Sequence, residues 1–281
     1  MILPKLIKKA LSHDGVVTAY IYGDFGYGKT SYALWVAYEV YRDWGKVLEY
    51  TFFEPREAVK AMEKAIRENT RIPVIIMDDA GLWLDKLTWW ESDKIAFMQF
   101  FNLVRSVAAG VLFTTPSEDL PKPIRSKCAF RVSVRPISTR EAEAILSPPL
   151  LEAVYSKIEK FTINNSPLAL ATVYKRKTLP SFMEVTRKTY YEVYPLHYPI
   201  YEEYQEIRRK TLKRVFNMWK KRLESIETRK TSYRAALITL AVEALKNGAK
   251  RSHIVKTLEG AGIPRSTAYY VLKKAIENIE E

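Results

Sequence analysis

An α/β fold, with a parallel sheet covered on both faces, a β-hairpin appendage and a C-terminal all-α domain, is what this chain of 281 residues predicts. Three observations predict it. Residues 1–135 alternate short apolar runs with helical stretches, the pattern of successive strand–helix units. Residues 169–194 then switch to two strand-like runs in succession. From residue 201 onward the periodicity is helical and the composition strongly basic.

Taken in order, residues 16–22 form a β-branched and aromatic run that stops at Gly23, and residues 30–42 read as a helix. Residues 47–53 predict a second strand and 56–68 a second helix. Residues 73–77 are continuously apolar, 92–109 predict one long helix, and 111–115 and 129–134 predict further strands. Near-continuous apolar strands belong to parallel sheets buried on both faces. Residues 169–177 and 182–194 predict a hairpin or a pair of added strands joined through 178–181. Residues 201–226 predict a long helix with Ile207, Thr211, Val215, Trp219 and Leu223 on one stripe. Three shorter helices follow at 233–246, 252–259 and 265–278, with breaks at Asn247-Gly248 and Gly260-Ala261-Gly262. The expected division is a core at 1–150, a β-rich extension at 151–204, a basic connecting helix at 205–228 and a terminal helical domain at 229–281.

The charge narrows the partners. Forty-five Lys and Arg against 32 Asp and Glu give +13. Residues 205–281 hold 18 basic and 8 acidic side chains, a net of +10, which leaves +3 for the rest. A basic terminal third predicts a polyanionic partner, with nucleic acid ahead of a membrane surface. No apolar run reaches the roughly 18 to 20 residues of a membrane span, and the Lys-broken N-terminus does not read as a signal peptide. Cys128 is the lone cysteine, which excludes a disulfide framework, a Cys-rich zinc site and a thiol redox pair within the chain. His13, His197 and His253 are scattered, against a His-based metal site. The expectation is a cytoplasmic protein without membrane association. Cys128 and the aromatic stretch 190–204 are expected in the core.

The sharpest motif is Gly23-Asp24-Phe25-Gly26-Tyr27-Gly28-Lys29-Thr30, followed by Ser31. It satisfies G-x-x-x-x-G-K-[ST] between a strand and a helix, which is the context that makes it a phosphate-binding P-loop. Glycines let the backbone curl so that N–H groups face an anion, and the helix N-terminus adds positive potential. Lys29 is expected to bridge the β- and γ-phosphates of ATP, and the Thr30 hydroxyl to ligate Mg2+. A second apolar strand delivers Asp78 and Asp79 at its C-terminal end: Asp78 for the metal side, Asp79 to polarise the attacking water. The run 111–115 ends in Thr114 and Thr115. If that strand lies between the two motif strands, one of these hydroxyls reaches the γ-phosphate, as in the additional-strand division of P-loop ATPases.

Together these motifs resemble the AAA+ core of replication initiators and helicase loaders, over about residues 14–146. The stretch from Leu120 to Lys127, followed by Pro136, Arg140 and Leu146, is similar to the initiators' box and the helix after it. That resemblance implies an ATPase acting between subunits of a homo-oligomer, with Arg125 or Lys127 in the place of the arginine finger. A helical lid with a second sensor arginine has no counterpart after residue 150, where β-like sequence stands. The added strands look like those of ATPases that pump DNA in packaging.

Residues 252–272 resemble the helix-turn-helix of resolvases and transposases, with Ile254, Leu258, Ile263, Ala268, Val271 and Leu272 as its core and Gly262 at the turn. The resemblance implies a reader of double-stranded DNA. Arg265 suits guanine, Ser266 and Thr267 suit bases or phosphates, and Tyr270 and Lys273 suit the backbone. The function expected is ATP-dependent DNA binding in replication initiation or helicase loading on a virus or plasmid, with a helicase or another replication or packaging protein as a further partner. The alternatives are a DNA packaging motor and an ATP-switched regulator.

Overall fold

The computed structural model describes residues 1–83, 92–116, 122–161, 166–178 and 184–280. It divides into two compact units, residues 1–208 and 209–281.

The first unit runs α1 (Ile2–Ser12), β1 (Val17–Tyr22), α2 (Lys29–Tyr41), α3 (Trp44–Glu49), β2 (Thr51–Phe52), α4 (Pro55–Arg67), β3 (Ile75–Met77) and α5 (Ala80–Trp83). It continues through α6 (Ser92–Asn102), α7 (Val104–Val107), β4 (Gly110–Thr115), α8 (Lys122–Arg125), β5 (Phe130–Ile137), α9 (Thr139–Ile145) and α10 (Pro148–Lys160). Then come β6 (Leu168–Thr178), β7 (Glu184–Pro195) and the first turns of α11 (Tyr201–Lys246). The strands form one sheet in the order β2-β3-β4-β1-β5-β6-β7. Strands β2, β3, β4, β1 and β5 are mutually parallel, and β6 and β7 continue antiparallel from β5.

Alternation along the parallel strands splits the core into two layers. Ala19 and Ile21 of β1 face α1 and α2, where Leu3, Ile7, Leu34 and Trp35 are fully buried. Tyr20 of β1 faces the other way, with Met62 of α4, Phe97 and Phe101 of α6, and Cys128. The Trp35 indole ties α2 to the end of β7, donating to the Pro195 carbonyl at 3.0 Å.

The structure departs from the sequence reading in four elements. The strand expected at 47–53 is the short helix α3 and a two-residue strand. Asp43 caps that helix through Lys46 N at 3.1 Å, and Trp44 stacks on Tyr38 at 4.3 Å, which commits the segment to a turn before it can extend. The helix expected at 92–109 is two helices broken at Leu103. Helix α10 stands within the stretch read as β-like, opened by Pro148 and Pro149, which suit a first helical turn. Finally, 201–226 and 233–246 are one helix, because no Gly or Pro interrupts residues 201–246. On its expected stripe Val215 and Thr211 are buried, whereas Trp219 is exposed. The hairpin is present, and its connecting residues 179–183 lie outside the described set.

The second unit holds the remainder of α11, α12 (Arg251–Gly260) and α13 (Arg265–Glu280). Ile254, Ile263, Ala268, Val271 and Leu272 are buried together with Leu237 and Ala241 of α11. The α12–α13 turn passes through Gly262 at φ +83°.

Candidate active site at the ends of the parallel strands

The loop between β1 and α2 has the backbone that its glycines permit. Gly28 sits at φ +88°, and a Cβ there would stand 2.1 Å from Leu196 Cδ2. At Gly23 a Cβ would meet the Val134 carbonyl oxygen at 2.5 Å. A larger residue at Gly23 would displace the backbone of β5, and one at Gly28 would strain a left-handed backbone and push the Leu196 side chain aside. Tyr194 of β7 braces the loop from outside, its hydroxyl donating to the Gly28 carbonyl at 3.1 Å.

Lys29 opens α2 and is nearly buried, its Nζ donating to the carbonyls of Gly23 (2.9 Å) and Asp24 (2.8 Å). Burial lowers its pKa, against the opposing pull of Asp79, Asp78 and Asp24. An ammonium held among carbonyls at the mouth of an N–H-lined loop is placed for phosphate. Asp24 and Phe25 project outward, Phe25 at 84% exposure; Tyr27 is half-buried and Ser31 buried.

Strand β4 lies between β1 and β3, so the two motif strands are bridged by the one ending in threonines. Met77 of β3 pairs with Phe113 of β4, which sets Asp78 beside Thr114. Thr114 Oγ1 donates to Asp78 Oδ1 at 2.5 Å, and Thr30 Oγ1 donates to the same oxygen at 3.0 Å. Thr114 Oγ1 also accepts from Asp79 N at 2.9 Å. Thr115 is buried and turned toward Gly81 of α5. Asp78 is fully buried. Burial first and the Asp79 charge second raise its pKa, opposed by hydrogen bonds from Thr114, Tyr204 and Thr30. Asp79 stands at φ +49°, a left-handed conformation that costs a non-glycine residue about 1–3 kcal/mol.

Two site residues escaped the sequence reading. Tyr204 donates its hydroxyl to Asp78 Oδ2, and Arg208 Nη2 stands 2.9 Å from Asp79 Oδ2. Both project from the start of α11 one turn apart, an i, i+4 pair that meets the adjacent carboxylates. Burial and the Asp78 charge raise the Tyr204 pKa. The buried Arg208 Nε has no hydrogen-bond partner among the described residues. Their spacing is helical, but no sequence feature ties them to acids more than 120 residues upstream.

Arg125 and Lys127 are not brought to this site within one chain. They precede β5 at the opposite, N-terminal end of the parallel strands, where Thr18 Oγ1, at the start of β1, donates to the Lys127 carbonyl at 2.7 Å. Lys127 Nζ donates to Asn102 Oδ1. In the second unit, Arg265, Ser266, Tyr270 and Lys273 are exposed along α13, and Thr267 is half-buried. Arg265 lies 3.5 Å from Glu259 and stacks on Tyr269.

The donor set fits a nucleotide with its magnesium ion. Gly23, Gly26 and Gly28 all take positive φ, which curls the loop backbone, and a hydroxyl and a carboxylate converge beside a lysine. No three His, Cys, Asp or Glu side chains cluster as a self-sufficient metal site among the described residues. No described helix is long and apolar enough to cross a membrane.

No family model matches the chain. It is 43% identical over 124 residues to uncharacterized protein B-251 of Sulfolobus spindle-shape virus 1, covering 41% of this chain and 49% of that protein. It is 30% identical over 100 residues to uncharacterized protein ORF286 of Acidianus two-tailed virus, covering 34% and 35%. The chain thus matches about half or less of the length of these curated relatives. Among solved structures, the genome packaging NTPase B204 of Sulfolobus turreted icosahedral virus 2 aligns with 62% of this chain and 98% of its own, at 11% identity and a TM-score of 0.32. The KaiC-like protein PH0186 of Pyrococcus horikoshii aligns over 64% and 92%, at 13% identity and a TM-score of 0.28.

Proposed function

We propose that this protein is a viral ATPase that acts on DNA, working as a homo-oligomeric motor that translocates or packages duplex DNA. The observation that carries the reading is the sheet itself. A threonine-tipped strand stands between the two motif strands, and an antiparallel pair, β6–β7, extends the sheet after the core and reaches back to brace the phosphate loop. The identity to two viral proteins supports the viral setting.

In this reading Lys29 neutralises the β- and γ-phosphates, and Thr30 and Asp78 hold the magnesium ion. Bound there, the ion would neutralise charge on the β- and γ-phosphates. Asp79 orients the attacking water, with Thr114 fixing its backbone from below. Arg208 holds Asp79 until a γ-phosphate competes for the guanidinium, which then stabilises charge developing on the transferred group. An arginine of the same chain thereby serves where Arg125 and Lys127 do not reach. Steady ATP hydrolysis by the full chain, stimulated several-fold by duplex DNA of any sequence, is the expected result. Hydrolysis indifferent to DNA would refute the motor.

A second reading, a replication initiator, is favoured by α13, whose exposed N-terminal turn presents Arg265 and Ser266 as a reading helix would. Footprinting on the encoding replicon separates the two: one protected site with slow turnover supports the initiator, and a nucleotide-dependent footprint without turnover supports an ATP-switched regulator.

A further inference from the structure

The sheet face that carries Tyr20 and Tyr22 is packed under helices at β3 and β4, but its character changes across β5, β6 and β7. Arg131, Tyr174 and Lys188 lie opposite one another in a single row across the three strands. Ser133, Thr172 and Tyr191 form the next row, and Arg176 with Thr186 flanks the first on its other side. None of these paired positions is a carboxylate. The register shift at Val173/Tyr174 leaves Thr189 as an extra residue in β7, which puts Lys188 and Tyr191 on the same side. The Lys188 ammonium lies 4.3 Å over the Tyr191 ring. The Arg131 guanidinium lies between the rings of Tyr22 (5.1 Å) and Tyr174 (5.5 Å). Tyr191 is 49% exposed, Lys188 is exposed, and Arg131, Tyr174 and Arg176 are half-buried.

We propose that this face is a binding surface for single-stranded DNA. The inference rests on the DNA-acting reading above and adds a second contact, within the ATPase unit itself. Cations alternating with tyrosine rings on one sheet face supply both requirements of a nucleic-acid strand: charge for the phosphates, and π-faces on which unstacked bases lie. Duplex DNA offers only its backbone to such a surface, because its bases are already stacked. The row from β1 to β7 crosses three strand spacings, about 14 Å, enough for a few nucleotides.

The test uses the full-length protein and a labelled 20-mer oligothymidylate, with a duplex of the same length as the second arm. Tyr191→Ala is expected to weaken oligothymidylate binding by about tenfold, and Tyr191→Phe, which keeps the ring, to remain within about twofold of the parent. Lys188→Ala is expected to reduce the slope of log K against log salt by about 0.7, one phosphate contact on a single strand. Basal ATPase and duplex affinity should stay unchanged in all three variants. If the parent binds oligothymidylate and none of the variants differs from it, the strand lies elsewhere and the proposal falls. It falls equally if the parent binds only duplex, an outcome that leaves the motor intact. If the parent neither binds nor is stimulated by either form, this surface and the DNA-acting function fail together.

Discussion

Removing one oxygen tests the geometry of the site directly. Tyr204→Phe keeps the ring, which packs 5.9 Å from both Phe53 and Tyr198, and deletes only the hydroxyl that donates to Asp78 Oδ2. Asp78 Oδ1 keeps Thr30 and Thr114, but Oδ2 has no other hydrogen-bond donor among the described residues. The acceptor is fully buried, so the loss leaves half a carboxylate without a partner or water. A hydrogen bond to a charged group contributes about 1.5–3 kcal/mol, and an orphaned buried acceptor belongs at the upper end. With a urea dependence of about 2 kcal/mol per molar, the midpoint of the first unit's transition should fall by about 1 M, with the slope unchanged. The effect should also depend on pH. Burial and the Asp79 charge raise the folded pKa of Asp78 above its unfolded value. Its ionised form therefore destabilises the fold progressively as pH rises through that folded value, and deleting a donor raises the pKa further. The gap between parent and variant should widen with rising pH and narrow once Asp78 is protonated in both. A midpoint within about 0.2 M of the parent at neutral pH would refute the contact and, with it, the placement of α11 over the acids.

Four further outcomes are expected. Lys29→Ala should abolish ATP binding or turnover while leaving the fold intact, read by nucleotide titration and circular dichroism; normal ATPase would remove the phosphate-loop assignment. Asp79→Asn should retain Mg·ATP binding and lose hydrolysis, whereas Asp78→Asn should weaken Mg2+-dependent binding; exchanged phenotypes would reverse the roles of the two acids. Arg208→Ala should lower kcat by about 100-fold or more without rescue by Arg208→Lys, yet shift stability by less than about 1 kcal/mol because the ion pair is partly exposed; unchanged kcat would make it a structural pair. Arg265→Ala should relax sequence preference at one base position by about tenfold, while Lys273→Ala weakens specific and scrambled duplexes alike; equal weakening by both would make α13 an electrostatic clamp.

Much of the nucleotide end was legible because its residues are contiguous. The phosphate loop is a single run of the chain, and Asp78-Asp79 follows a strand whose apolarity announces it. The position of β4 between β1 and β3 was a conditional expectation that the strand order fulfils, and Thr114 joins the acids through it. What escaped was non-local. Tyr204 and Arg208 lie more than 120 residues from the acids they meet, and nothing nearby in sequence marks them as partners. The helix breaks were misread for a different reason. The stretch 227–232 reads as a gap between two helices, yet its residues only weaken a helix and no Gly or Pro stands within 201–246. At 47–53, β-branched and aromatic composition pointed to a strand, and the Asp43 cap with Trp44 packing overrode it.

Perturbed groups in this fold separate into two kinds, and the separation bears on which of them act. Burial pushes the Cys128 thiol up to about 12, and the thiol donates only to the Ile124 carbonyl one helical turn away. Tyr41 is likewise raised by burial, and its hydroxyl is satisfied by the Val74 backbone, donating to its carbonyl and accepting from its N–H. Those shifts follow from sitting in a core and imply no chemistry. Asp78 is also raised by burial, but a second carboxylate stands next to it, and donors reach it from α2, β4 and α11, three elements far apart in sequence. Asp79 adds a left-handed backbone, and Lys29 is a nearly buried ammonium lodged among carbonyls. A fold selected only for stability would replace a buried acid pair and a buried lysine with apolar side chains, since breaking such polar groups out of water is costly. Their presence at the C-terminal ends of parallel strands, the place where such sheets bind ligands, therefore points to a charged substrate. The same argument leaves Cys128 and Tyr41 to the core.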